Sequence, residues 1–240
     1  MQNKKLIEVL VSKSKLFCHP YIKQLGISNK ALGKICDFIT LEEKESGILN
    51  LVFTFKEPST FKTSHKLEIN GQYETIINIE NGVDGIIWST NCVPELSSEV
   101  LVFNDPIEAL SYLTLKKQTD YFTAVAILPR TFKKQHILFV KQKFPYSRPI
   151  CVFGNGQLAA LQDAQFFLVH SDKDTDLSIS YGLHGIRVTN ASGKEKFYNH
   201  FSLRALIRDF YGGRYGSGAT TQKPLKKYQS FKTESCQKKQ

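Results

Sequence analysis

Between residues 100 and 115 the hydrophobic spacing changes period abruptly, and that change restricts the fold more than any other feature of the chain. Val100, Leu101, Val102 and Phe103 run without a polar break and stop at Asn104-Asp105-Pro106. Past the stop, Ile107, Leu110 and Leu113 recur at the three-to-four-residue interval of a helix. A buried strand therefore turns directly into a helix. Asp105 suits the N-cap, Pro106 the first helical position, and Glu108 the place from which a capping box is completed. In an α/β sheet such a corner lies at the carboxyl end of its strand, where ligands bind.

The same alternation of elements continues downstream. Apolar runs at 122–128, 149–153 and 166–170 are expected to be strands, with helices through 132–140 and 158–165 between them. The expected fold class is α/β, with a parallel sheet and flanking helices joined by right-handed crossovers. Ahead of it, residues 1–45 have helical spacing and 48–90 alternate as strands, with Asn70-Gly71 and Asn81-Gly82 as hairpin turns. That small antiparallel sheet is expected to end near Trp88. Beyond the α/β unit, 185–198 form a hairpin around 190–193, and a helix from Phe201 to Phe210 carries Arg204 and Arg208. The expected division is 1–95, 98–212 and a disordered basic tail at 213–240.

No run of 18 apolar residues and no Cys-x-x-Cys pair occurs, so a membrane span, a disulfide framework and a zinc ribbon are not expected, and the chain is placed in the cytoplasm. Charge is divided unevenly. The net +10 comes from the second half, in which Lys and Arg outnumber acids by 12. Such an excess is the footprint of a polyanion partner, DNA or RNA. The basic residues expected at that interface are Arg130, Lys133, Lys134, Arg148, Arg204, Arg208 and Arg214, with Tyr198, Phe201, Tyr211 and Tyr215 interleaved as stacking rings.

The corner at 102–113 resembles the first motif of Toprim domains, the α/β module of DnaG-type primases, topoisomerases and some nucleases, and most of all the primase-like proteins of bacterial mobile elements. The segment from Tyr21 to Ser28 resembles their N-terminal Tyr-Leu-x-x-Arg-Gly-Ile-Ser pattern, with Leu25 where the Arg stands. The resemblance implies a Toprim-like sheet preceded by a small α+β primase-type region, and an Mg²⁺ site made of a Glu after the first strand and an Asp-x-Asp after the third. Asn104 occupies the Glu position, and Gly154 and Gly156 the two Asp positions. The expectation is therefore a nucleic-acid-binding protein that has lost its catalytic acids, an accessory to replication or mobilisation of a mobile element, with no cofactor. A protein partner fits this role; a small-molecule substrate and a membrane do not.

Three other readings compete. An active Mg²⁺-dependent primase or nuclease would draw on Asp105 together with Asp172, Asp174 or Asp176, the acids following the expected strand at 166–170. A dinucleotide site would use Gly154-x-Gly156-x-x-Ala159 as its phosphate loop and Asp172 as its ribose acid. A pure protein-interaction module would bind no DNA.

Overall fold

The computed structural model describes residues 16, 18–43, 49–57, 60–70, 73–78, 85–89, 92–117, 120–182, 185–212 and 220–237. The element expected at 1–15, the two Asn-Gly turns, Arg214 and Tyr215 lie outside them.

Two short helices, α1 (Pro20–Leu25) and α2 (Asn29–Gly33), open the described chain. Ser28 caps the second, its Oγ accepting from the Ala31 N–H at 3.2 Å. Strands β1 (Ile39–Glu43), β2 (Leu49–Lys56), β3 (Thr63–Asn70) and β4 (Tyr73–Asn78) then form an antiparallel sheet in sequential order. The next strand departs from expectation: β5 (Ile87–Trp88) pairs antiparallel with β7 (Thr123–Ile127) at the edge of the following sheet, and an isolated Lys56–Ile86 bridge ties the residue before it to β2.

The second sheet contains β6 (Glu99–Phe103), β7, β8 (Arg148–Cys151) and β12 (Thr220–Thr221), in the order β12-β8-β6-β7-β5. All of its pairings except that of β5 are parallel. Helix α3 (Pro106–Lys116) links β6 to β7, and α4 (Lys134–Lys143) links β7 back across β6 to β8. Right-handed crossovers running in opposite directions place these helices on opposite faces. Helices flank a parallel-containing sheet, as the α/β reading requires.

Residues 166–170 are not a strand. They complete α5 (Gln157–His170). The helix is apolar on most sides because it lies between two cores: Phe166 belongs to the main one, Phe167 and Leu168 to a second one beneath β9 (Leu177–Gly182), β10 (Gly185–Asn190), β11 (Glu195–Tyr198) and α6 (Leu203–Tyr211). A helix buried all round shows no amphipathic stripe, so its last five residues imitate a buried strand. The place of the missing parallel strand is taken by β12.

The tail also differs. Residues 220–237 are ordered: β12 extends the sheet beside β8, and α7 (Phe231–Gln237) packs against α1 and α3. Phe231 is fully buried, with its ring edge-on to Tyr112 at 4.9 Å. The main core runs without interruption from Leu16 through both sheets to Phe231.

Candidate functional site

The chain leaves β6 towards β7 on one side and returns to β8 on the other, so the carboxyl ends of β6 and β8 flank the crevice in which open α/β sheets hold ligands. Asn104 follows β6; Gly154, Asn155 and Gly156 follow β8. These positions lie at the carboxyl ends of neighbouring strands, and the side chains of Asn104 and Asn155 are engaged within the protein.

On the β6 side, the Asn104 Nδ2 donates to Gln162 Oε1 at 2.9 Å, and Gln162 Nε2 donates to the Arg130 carbonyl at 2.9 Å. Asp105 caps α3, accepting from the N–H groups of Ile107 (2.8 Å) and Glu108 (3.1 Å), while its other oxygen pairs with Arg130 at 2.7 Å. Glu108 makes a different contact from the expected capping box. Its carboxylate accepts from the N–H groups of Phe231 (2.8 Å) and Lys232 (3.3 Å), capping α7 from 123 residues away. Burial pushes its pKa up, and the nearby Asp105 charge adds to the rise.

On the β8 side, the C-terminal segment lies over Gly154 and Asn155, whereas a Cβ at Gly156 would meet open space. The Asn155 N–H donates to the Gln229 carbonyl at 2.9 Å, and its side-chain amide donates to the Tyr228 carbonyl at 2.6 Å. Gly154 has φ +81°, and a Cβ placed there would stand 3.1 Å from the Gln229 oxygen. A magnesium ion demands several oxygen ligands, carboxylates above all. An amide already hydrogen-bonded to Gln162 and a glycine pressed against a strap do not fit that ion.

Beneath the strap lies a pair that sequence reasoning missed. Asp163 on α5 is 2% exposed and meets Lys223 at 2.6 Å, next to the fully buried Cys151. Desolvation raises the Asp163 carboxyl to about 6, outweighing the lysine's opposing pull. A lone acid on an apolar helix was the only available signal, and its partner lies 60 residues further on.

The other acids are dispersed. Asp172 pairs with Lys141 at 2.6 Å, Asp174 with Lys134 at 2.5 Å, and Asp176 with Lys173 at 3.8 Å. Among the described residues no group of three His, Cys, Asp or Glu side chains is placed to hold a metal ion. Asp172 also fails the dinucleotide layout. It follows the carboxyl end of α5, whose 14 residues put it roughly 20 Å from the glycines.

The expected basic residues fall into separate places. Arg130, Lys133 and Lys134 sit between β7 and α4 at the carboxyl end of the sheet, whereas Arg148 opens β8 at the amino end and pairs with Glu99. Arg204 and Arg208 lie on α6, whose N-cap Ser202 accepts from the Ala205 N–H at 3.2 Å. Around that helix the cations outnumber the acids. Lys196 (2.9 Å) and Arg208 (2.8 Å) both pair with Asp209, and Lys194 donates to the Asp209 carbonyl. Hydrogen bonds from Arg208 and Lys196 hold the Asp209 carboxyl well below the usual range. Tyr198 and Phe201 are not stacking rings: each is 6% exposed and both belong to the second core. Among the described residues no helix is long and apolar enough to cross a membrane.

No protein-family model matches the sequence, and no curated protein does. Among solved structures, the chain is similar to the primase fragment of the bacteriophage T7 primase-helicase protein, at 10% identity and a TM-score of 0.42, over 61% of this chain and 58% of that one. It is also similar to a chain in a structure of the bacteriophage T7 lagging-strand DNA polymerase interacting with primase domains of two gp4 subunits bound to an RNA/DNA hybrid and dTTP. There the identity is 13% and the TM-score 0.44, over 60% of this chain and 72% of the other. The alignment spans less than two thirds of the primase fragment.

Proposed function

We propose that this chain is a Toprim-like protein that binds DNA or RNA in the cytoplasm without metal-dependent strand chemistry, as an accessory in replication or mobilisation of a mobile element. One observation carries the reading. The crevice between β6 and β8, where the resemblance puts an Mg²⁺ site, presents Asn104, Gly154 and Gly156 in place of acids and is crossed at Gly154 and Asn155 by residues 224–229 of the chain itself. Binding is assigned to the basic surface formed by β10, β11 and α6, where Arg187, Lys194, Lys196, Arg204 and Arg208 outnumber Glu195 and Asp209 and supply phosphate contacts.

The test is a salt titration of binding to labelled single- and double-stranded DNA and RNA, with and without Mg²⁺. Affinity is expected to fall steeply with salt, to be unchanged by Mg²⁺ apart from ionic strength, and to drop when Arg204 and Arg208 are both changed to Ala. Each lost phosphate contact lowers the salt slope by roughly one. Mg²⁺-dependent cleavage or primer synthesis, abolished by Asp172→Ala or Asp174→Ala, overturns the non-catalytic reading. Absence of binding at low salt overturns the nucleic-acid reading and favours a protein-interaction module.

A further inference from the structure

We infer that the amino end of the parallel sheet is a platform for single-stranded nucleic acid, built from Leu96, Tyr121, Phe122 and Tyr146. The inference rests on the nucleic-acid reading and names a second surface and the strandedness it selects.

Four large hydrophobic side chains stand out into solvent here: Tyr146 is 77% exposed, Tyr121 73%, Leu96 63% and Phe122 60%. They come from three loops, those that lead into β8, β7 and β6. The loops are joined directly: the Ser98 N–H donates to the Phe122 carbonyl at 2.9 Å, the Arg148 N–H to the Ser98 carbonyl at 2.9 Å, and the buried Ser147 Oγ to the Ser97 carbonyl at 2.6 Å. The rings are therefore held on a fixed frame. Because β6 lies between β7 and β8, the loop that carries Leu96 lies between the loop that carries Tyr121 and Phe122 and the loop that carries Tyr146.

The charge around the rings selects the occupant. Helices α3 and α4 both end at this side of the sheet, delivering Lys116, Lys117 and Lys143, none of which forms an ion pair with a described residue. Of the acids present, Glu99 pairs with Arg148, while Asp120, which accepts from the Phe122 N–H at 2.9 Å and the Thr123 hydroxyl at 3.1 Å, and Glu95 are exposed and keep their charge against the three lysines. Exposed π-faces rimmed by lysines match a flexible strand whose bases stack and whose phosphates are neutralised. A duplex hides its base faces and gains nothing from the rings.

The experiment compares the full-length chain with a Tyr121→Ala/Phe122→Ala/Tyr146→Ala variant, using fluorescein-labelled oligo-dT and a mixed-sequence duplex in low salt. Loss of one stacked ring weakens single-strand binding about fivefold or more. The triple variant is therefore expected to lose oligo-dT binding by at least that factor and to retain duplex binding and an unchanged melting temperature. Tyr146→Trp is expected to keep oligo-dT binding. Photocrosslinking of the unaltered chain to bromodeoxyuridine-substituted oligo-dT is expected to mark the peptides carrying Tyr121, Phe122 or Tyr146. Equal oligo-dT affinity in the triple variant, or crosslinks confined to α6, overturns the platform and leaves the nucleic-acid reading standing. An unaltered chain that binds no nucleic acid at all defeats that reading itself. A change of oligomeric state in the triple variant, with nucleic-acid binding intact, shows that the patch docks protein and also overturns the platform.

Discussion

Replacing Phe231 by Ala tests whether the C-terminal segment is part of the folded protein. The side chain is fully buried, its ring 4.9 Å from that of Tyr112 at an interplanar angle of 88°, and its N–H is bonded to Glu108. Truncating a buried Phe to Ala costs about 3–5 kcal/mol, transfer and cavity terms together. For a chain of this size each kcal/mol lowers the melting temperature by about 2–4 °C, so the expected drop is roughly 6–20 °C. The loss also loosens the contacts that follow from docking α7: the Asn155 bonds to Tyr228 and Gln229, and the Asp163–Lys223 pair. Thermal unfolding should be accompanied by limited trypsin digestion, because Lys226 and Lys227 lie in the strap. Phe231→Ala should speed cleavage there before the rest of the chain unfolds. A melting temperature within about 2 °C of the parent and unchanged cleavage would show that the segment is solvated and that the crevice is open.

Two further perturbations address the crevice. Burial raises the Asp163 carboxyl to about 6 from an ordinary value of 3.8, so the folded state holds its proton more tightly than the unfolded chain. The stability this contributes is fully present below about pH 4 and is lost as the pH rises through about 6, amounting to roughly 3 kcal/mol. Urea unfolding across that interval should show the dependence in the parent and its removal by Asp163→Asn; a pH-independent difference between the two refutes the assignment. Gly154→Asp, which puts an acid at one of the positions the resemblance singles out, should destabilise by about 1–3 kcal/mol, because φ +81° is strained for a side chain and the Cβ meets the Gln229 carbonyl. It should create no magnesium site, so a melting temperature that rises on adding Mg²⁺ would count against the closed crevice.

Local signals in the sequence translated well. The change of period at residue 104, the cap at Asp105, the antiparallel strands that follow residue 48 and the hairpin at 190–193 are all settled within a few residues of chain, and all four features are present. The errors occurred where distant contacts decide. Residues 166–170 look like a strand because α5 is buried on two sides, and β5 joins the parallel sheet because β7 offers an unpaired edge. Residues 213–240 are poor in apolar side chains, and composition alone suggests a solvated tail. The segment docks through two buried rings, Phe231 and Tyr228, and through polar groups: Glu234 accepts from the Leu225 N–H at 3.1 Å, and Ser235 donates to the Leu25 carbonyl at 3.2 Å. Hydropathy cannot register anchors of that kind.

The chemistry of the corner shows the same division. That Asn104 and Gly154 lack carboxylates is plain from the sequence; why a glycine follows β8 is not. Its positive φ and the 3.1 Å approach of the Gln229 oxygen require a residue without a Cβ, so the glycine serves the strap's closure as well as lacking an acid. Glu108 has likewise been drawn from its own helix to the N-terminus of α7, where the N–H groups of Phe231 and Lys232 take up its charge. A crevice that merely lacked acids would gain an ion site by substitution. This one is crossed by backbone hydrogen-bonded to Asn155, and an ion seated between Asn104 and Gly154 would first require that backbone to move.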